Sequence, residues 1–161
     1  MGSPDVFADV VAELRRAGLR VTAPRLAMLL WLNDHPHAAV NEIRAGVLEQ
    51  LGSISTQAVY DVVAACSDAG LLRRIEPGGH PARFERRVGD NHHHVICRSC
   101  GRTEDVDCAV DSRPCLTPSD DHAYTLDEAE VIYWGHCPTC RQAAEGASVP
   151  KINHISDRGE T

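Results

Sequence analysis

Two Cys-x-x-Cys pairs, Cys97-Arg98-Ser99-Cys100 and Cys137-Pro138-Thr139-Cys140, carry the strongest chemical signal in this 161-residue chain. Each spacing lets a tight turn aim two thiolates at one ion. Two such turns make a closed tetrahedral sulfur site, which suits structural zinc. Gly101 directly after Cys100 fits that turn. The competing chemistry is a pair of redox dithiols. A thioredoxin-type motif opens a helix after a strand, and neither motif is expected to do so here, so zinc is favoured. The seven cysteines also make an odd number, and no leader-like run precedes them. Both facts fit metal binding in a reducing compartment better than a disulfide framework.

A second cluster, His92-His93-His94, stands just before the first pair. On a strand, alternate side chains share a face. His92 and His94 would then point one way and His93 the other. Glu85 and Asp105, expected on neighbouring strands, offer carboxylates, and His37 offers a third imidazole from the other half of the chain. Three nitrogens and two oxygens suit Fe(II), Mn(II) or Zn(II) and are harder than four thiolates. The alternative is a solvated, histidine-rich turn, and spacing leaves both open. Cys108 and Cys115 are left over as either a redox pair or reduced loop thiols. Cys66 is expected in a helix core.

Apolar spacing predicts the elements around these residues. Val6, Phe7, Val10, Val11 and Leu14 repeat at helical intervals. Thr22 and Pro24 signal a second helix start. A third helix is expected near Val40 to Gln50 and a fourth from Ser55, with Val59, Val62, Val63 and Cys66 inward. Leu71 to Ile75 and Ala82 to Glu85 flank a Glu76-Pro77-Gly78-Gly79 turn and read as a hairpin. Helices, a polar-faced helix and then a hairpin is the order of a winged helix-turn-helix. Thr56, Gln57 and Tyr60 on the fourth helix would face base edges, with Arg16, Arg20 and Arg25 near phosphates. A protein-interaction module with a solvated face is the alternative. Beyond Gly89-Asp90, strands are expected at His94 to Cys97, Thr103 to Val106 and Val131 to Trp134, and a loop over Asp107 to Asp121.

The formal charge of −7 is distributed unevenly. Met1 to Val88 carries ten basic and ten acidic residues, and Gly89 to Thr161 carries six and thirteen. Any DNA surface therefore belongs to the first half, with weak, salt-sensitive non-specific binding. With no apolar run of membrane-spanning length, the expectation is a soluble, cytoplasmic protein without a membrane partner.

Four segments together resemble the ferric uptake regulator family over roughly residues 6 to 141. They are Gly18-Leu19-Arg20-Val21-Thr22-Ala23-Pro24-Arg25, Gln57-Ala58-Val59-Tyr60, His92-His93-His94-Val95-Ile96-Cys97 and Tyr133-Trp134-Gly135-His136-Cys137. Gly89-Asp90-Asn91, Asp105-Val106-Asp107-Cys108 and Asp127-Glu128-Ala129-Glu130-Val131 are similar to the actinobacterial, catalase-peroxidase-linked branch. The resemblance implies an α+β fold: a winged-helix DNA-binding domain at 1–88 and a small α/β dimerisation and metal-sensing domain at 89–142. Residues 143–161 are expected to be a disordered tail. It implies structural Zn2+ on Cys97, Cys100, Cys137 and Cys140. It implies regulatory Fe2+, replaceable by Mn2+ or Zn2+, on His37, Glu85, His92, His94 and Asp105. It further implies a homodimer on an AT-rich inverted repeat of double-stranded DNA.

The chain departs from the family at its third metal site, where Asn91, Ser112 and Ala129 fill three aligned positions and leave only His93. Asp61 stands where many relatives have arginine. Glu85 matches iron sensors in the family and Asp105 matches peroxide sensors. The expected function is a metal-dependent repressor of an oxidative-stress gene, answering peroxide. Iron sensing, thiol oxidation at Cys108 and Cys115, and a zinc-dependent hydrolase are the alternatives. The last lacks an HExxH helix, so no enzyme activity is expected.

Overall fold

The computed structural model describes residues 5–90, 92–108, 115–126 and 129–146. Four helices come first: α1 (Val6–Arg16), α2 (Ala23–Asp34), α3 (Val40–Leu51) and α4 (Thr56–Asp68). Asp5 caps α1 and Ser55 caps α4, each accepting from a backbone amide three residues on. Thr22 holds the N-cap position of α2 but makes no side-chain cap bond. Val10, Leu14, Met28, Leu29, Leu32, Ile43, Val47, Val59, Val63 and Cys66 fill one core. Val6 and Phe7, from the same apolar stripe as Val10, remain exposed. Close packing of α2 on α3 depends on Gly46: a Cβ there would lie 2.2 Å from the Trp31 ring.

The expected hairpin is β2 (Arg73–Ile75) with β3 (Arg83–Glu85), antiparallel. A two-residue strand that the sequence did not reveal, β1 (Ala38–Ala39), pairs with the other edge of β3. The wing is therefore a three-stranded sheet in the order β1-β3-β2. Arg86, just past β3, fastens the wing to the helices through Glu13, Asn33 and the Leu29 carbonyl.

The second sheet has β4 (His92–Cys97) in its centre, antiparallel to β5 (Thr103–Asp107) and parallel to β6 (Ile132–Gly135). Beyond β6 comes α5 (Pro138–Gly146). This corrects two expectations. Residues 143–146 belong to a helix, so the expected tail loses its first four residues to α5. The second Cys-x-x-Cys does sit where a strand gives way to a helix, so that criterion does not separate zinc from redox chemistry. The distances among the four sulfurs must do so.

Candidate metal centres

The four sulfurs of Cys97, Cys100, Cys137 and Cys140 lie within 4.8 Å of one another. Cys100 Sγ and Cys137 Sγ are 3.8 Å apart. A zinc–sulfur bond of about 2.3 Å sets a tetrahedral edge of about 3.8 Å, whereas a disulfide brings its sulfurs to about 2.05 Å. All four are free thiols at the spacing one ion requires.

The backbone builds this arrangement. Gly101 N–H donates to the Cys97 carbonyl at 2.9 Å and closes the first turn. Gly101 has φ of +70°, and a Cβ there would lie 2.7 Å from the His80 ring, so only glycine fits. Parallel pairing of Cys97 with Gly135 brings the second turn alongside. The amides of Cys137 and Cys100 lead in pulling the Cys97 thiol down to about 5. The Cys137 and Cys100 thiols lead in pushing Cys140 up to about 12. Four thiolates coexist only around a cation.

The second centre lies at the junction of the two sheets. Ligand atoms of His37, Glu85, His94 and Asp105 all lie within 4.8 Å of one another. His37 Nε2 is 2.7 Å from Asp105 Oδ1 and 2.9 Å from Glu85 Oε2. His94 Nε2 is 3.3 Å from Glu85 Oε1 and 3.8 Å from Asp105 Oδ1. His92 stands beside this set, its Nε2 2.9 Å from Glu85 Oε1 and 3.9 Å from Asp105 Oδ1.

Register explains the convergence. His92 and His94 share a face of β4, and His94 lies directly opposite Asp105 on β5. Glu85 comes from the wing sheet and not, as expected, from a strand neighbouring β4. Ala38 faces Phe84 across the β1–β3 pair, so the antiparallel register carried one residue further sets His37 beside Glu85. His37 takes a left-handed φ of 59°, a conformation that costs a non-glycine residue about 1–2 kcal/mol. Arg83 holds it there by donating to its carbonyl at 2.8 Å.

The donors suit a cation. Glu85, His92 and His94 are fully buried or nearly so, a costly placement for ionisable groups without compensation. His94 Nε2 and Glu85 Oε2 have no partner in hydrogen-bond geometry among the described residues, although each lies close to another ligand atom. Burial opposes charge on Glu85, but the imidazoles of His37, His94 and His92 outweigh it and hold the carboxyl far below its ordinary range. Burial likewise opposes charge on His37, and Glu85 with Asp105 raises its pKa all the same. An ion bound by this set would be held by nitrogen and carboxylate oxygen, a harder environment than the four thiolates.

Two supporting residues escaped sequence reasoning. Asp90 Oδ1 lies 2.6 Å from His92 Nδ1 and orients that ring as outer carboxylates do around metal-ligating histidines. Arg87 donates to Asp90, Asp105 Oδ2 and Asp107 at 2.5, 3.0 and 2.9 Å. The proximity of Asp90 to His92 in sequence was an available signal. Nothing local points to Arg87.

Cys108 and Cys115, the leftover thiols, meet His93 on the opposite face of β4, their ligand atoms again within 4.8 Å. Asn91 and Ser112, which bear on the family's third site, lie outside the described residues, as do 127–128 and 147–161. In the winged-helix half, Thr56, Gln57 and Tyr60 are exposed on α4, and Arg16 and Arg20 are also exposed. Gln57 donates to Asp61 at 2.8 Å, and Arg25 donates to the Arg20 carbonyl at 2.8 Å.

A winged helix joined to a thiolate-clustered sheet, with a hard ligand set across the junction, defines a metal-dependent DNA-binding regulator. The chain belongs to the ferric uptake regulator family, whose pattern matches residues 16–131. It is 55% identical over 142 residues to the transcriptional regulator FurA of Mycobacterium tuberculosis, covering 88% of this chain and 97% of that protein. It is 54% identical over 133 residues to ferric uptake regulation protein 1 of Mycolicibacterium fortuitum, with 83% of each chain covered. The crystal structure of the Vibrio cholerae ferric uptake regulator superposes with a TM-score of 0.61 at 27% identity, covering 79% of this chain and 98% of that one. This is a family of transcriptional regulators and not an enzyme class. No helix among the described residues is long and apolar enough to cross a membrane.

Proposed function

We propose that this protein is a cytoplasmic, homodimeric repressor that releases DNA in response to peroxide and controls an oxidative-stress gene of the catalase-peroxidase kind. One observation carries the reading: His37, at the end of the winged-helix bundle, shares a ligand cluster with His94 and Asp105 of the second sheet. An ion on His37, Glu85, His92, His94 and Asp105 would clasp the two halves at one angle. In a dimer that angle sets the spacing of two α4 helices, and so the fit to an AT-rich inverted repeat. Arg16, Arg20 and Arg25 would meet phosphates, and Thr56, Gln57 and Tyr60 the bases. The large exposed apolar side chains Leu116, Tyr124, Leu126 and Tyr133 of the second half support a self-association surface there.

Structural Zn2+ belongs to Cys97, Cys100, Cys137 and Cys140, and regulatory Fe2+ to the junction set, with Mn2+ or Zn2+ able to replace it. Bound Fe(II) supplies peroxide reduction. The imidazoles of His37, His92 and His94 are the side chains placed to receive the oxidation, and an oxidised ring is a poorer ligand. Iron sensing is the second reading, favoured by a glutamate at position 85, the residue type that the resemblance links to iron sensors.

Fluorescence anisotropy with operator-like DNA tests the proposal, using anaerobic protein with Mn(II) or Fe(II), before and after peroxide. Peroxide release of the Fe(II) form, with an oxygen atom added to a histidine peptide, supports it. Binding that follows iron concentration and ignores peroxide moves the assignment to iron sensing. Hydrolysis of model esters without DNA binding would return it to a hydrolase.

A further inference from the structure

We propose that His93, Cys108 and Cys115 form a third metal site, a thiolate–imidazole centre for a soft or borderline divalent cation of the zinc type. Three separate segments meet there. His93 is the residue of β4 that faces away from His92 and His94, and it pairs with Val106. Cys108 follows the last residue of β5, and Cys115 lies near Ala129 on the approach to β6, with its sulfur 3.9 Å from the Ala129 carbonyl.

The distances suit one ion. Cys115 Sγ lies 3.3 Å from His93 Nε2, and a tetrahedral zinc site sets a sulfur–nitrogen edge of about 3.5 Å from bonds of about 2.3 and 2.0 Å. The Cys108 sulfur completes the group within 4.8 Å. A second observation is independent of these distances. His93 is only 4% exposed, and its Nδ1 has no hydrogen-bond partner among the described residues. A thiol is a weak partner for the other nitrogen. The buried ring therefore makes no strong hydrogen bond through Nε2, and a cation bound there together with two thiolates gives that nitrogen the strong partner it lacks.

Donor chemistry separates this site from the junction cluster on the opposite face of the same strand. Two sulfurs select zinc-like ions, and carboxylates with imidazoles accept iron or manganese. With three protein donors against four, this ion should leave for a chelator before the one on Cys97, Cys100, Cys137 and Cys140.

Cadmium-113 NMR of the reduced, full-length chain tests the site with Cd(II) as the probe. Two thiolate-shifted resonances are expected, one for four sulfurs and one, less shifted, for two sulfurs and a nitrogen. Cys115→Ser should remove only the second, and His93→Gln should do the same if the first variant fails to fold. A single resonance, or two that survive both substitutions, overturns the proposal. Alkylation followed by peptide mass spectrometry gives a readout on the unaltered chain. Zinc should protect Cys108 and Cys115 from iodoacetamide. Equal labelling with and without zinc, or a Cys108–Cys115 disulfide persisting in reduced, zinc-loaded protein, also overturns it.

Discussion

His37 Nε2 lies 2.7 Å from Asp105 Oδ1, across 68 positions of sequence. The pair joins the end of the helical bundle to the second sheet. Any ion gripping both residues makes the angle between the halves depend on occupancy. Replacing either His37 or His94 with alanine should remove the metal-dependent gain in DNA affinity while zinc stays bound. Anisotropy with and without Mn(II), beside metal analysis of the same sample, checks this. Unchanged affinity in both variants would sink the clasp.

Asp90 touches no other member of the junction set, yet it fixes the His92 ring through Nδ1. Asp90→Asn should lower Mn(II) affinity by about 10–100-fold, the usual cost of losing an outer carboxylate. Titration against a fluorescent competitor measures it. Helical content should be unchanged, because Asp90 lies outside every helix.

The thiolate cluster ties β4, the first knuckle turn and α5 together in a domain with little apolar core. Cys97→Ser or Cys140→Ser should eliminate the zinc held by the four-thiolate cluster. A structural zinc contributes on the order of 10 kcal/mol in small domains. The second sheet should therefore lose cooperative unfolding in calorimetry, while the helical core around Leu29 and Ile43 retains its own transition.

Gly46 has no room for a methyl group against Trp31. Gly46→Ala should destabilise the winged-helix half by about 1–3 kcal/mol, as overpacking does. Chemical denaturation with tryptophan fluorescence would report it. Leaving zinc binding unaffected would show that the damage is local.

Cys66 is buried in the helical core, and burial pushes its thiol from 9.0 up to about 11. The folded state therefore disfavours the thiolate. Its contribution is constant below pH 9.0, falls as pH rises towards about 11, and is level above that. A shift of this size corresponds to about 2–3 kcal/mol. Denaturation midpoints from pH 8 to 11 should fall more steeply for the wild type than for Cys66→Ala. Parallel curves would contradict the burial argument.

What the sequence alone determined was local. Cys-x-x-Cys spacing named the thiolate cluster, a candidate zinc site, because a turn of four residues fixes where two thiolates point. Two-residue alternation placed His92 and His94 on one face and His93 on the other. Helical periodicity located the inward residues of α4 and left Thr56, Gln57 and Tyr60 outward. The family resemblance named five candidate ligands for the junction, but spacing did not show how they meet. The tertiary structure decided that. His37 reaches Glu85 only because a two-residue strand pairs with the wing, and Glu85 reaches His94 only because two sheets dock. The parallel β4–β6 pair also rests on contacts between residues some forty positions apart. Such contacts depend on docking of separate segments, which no local period encodes. The same limit hid the meeting of His93 with Cys108 and Cys115.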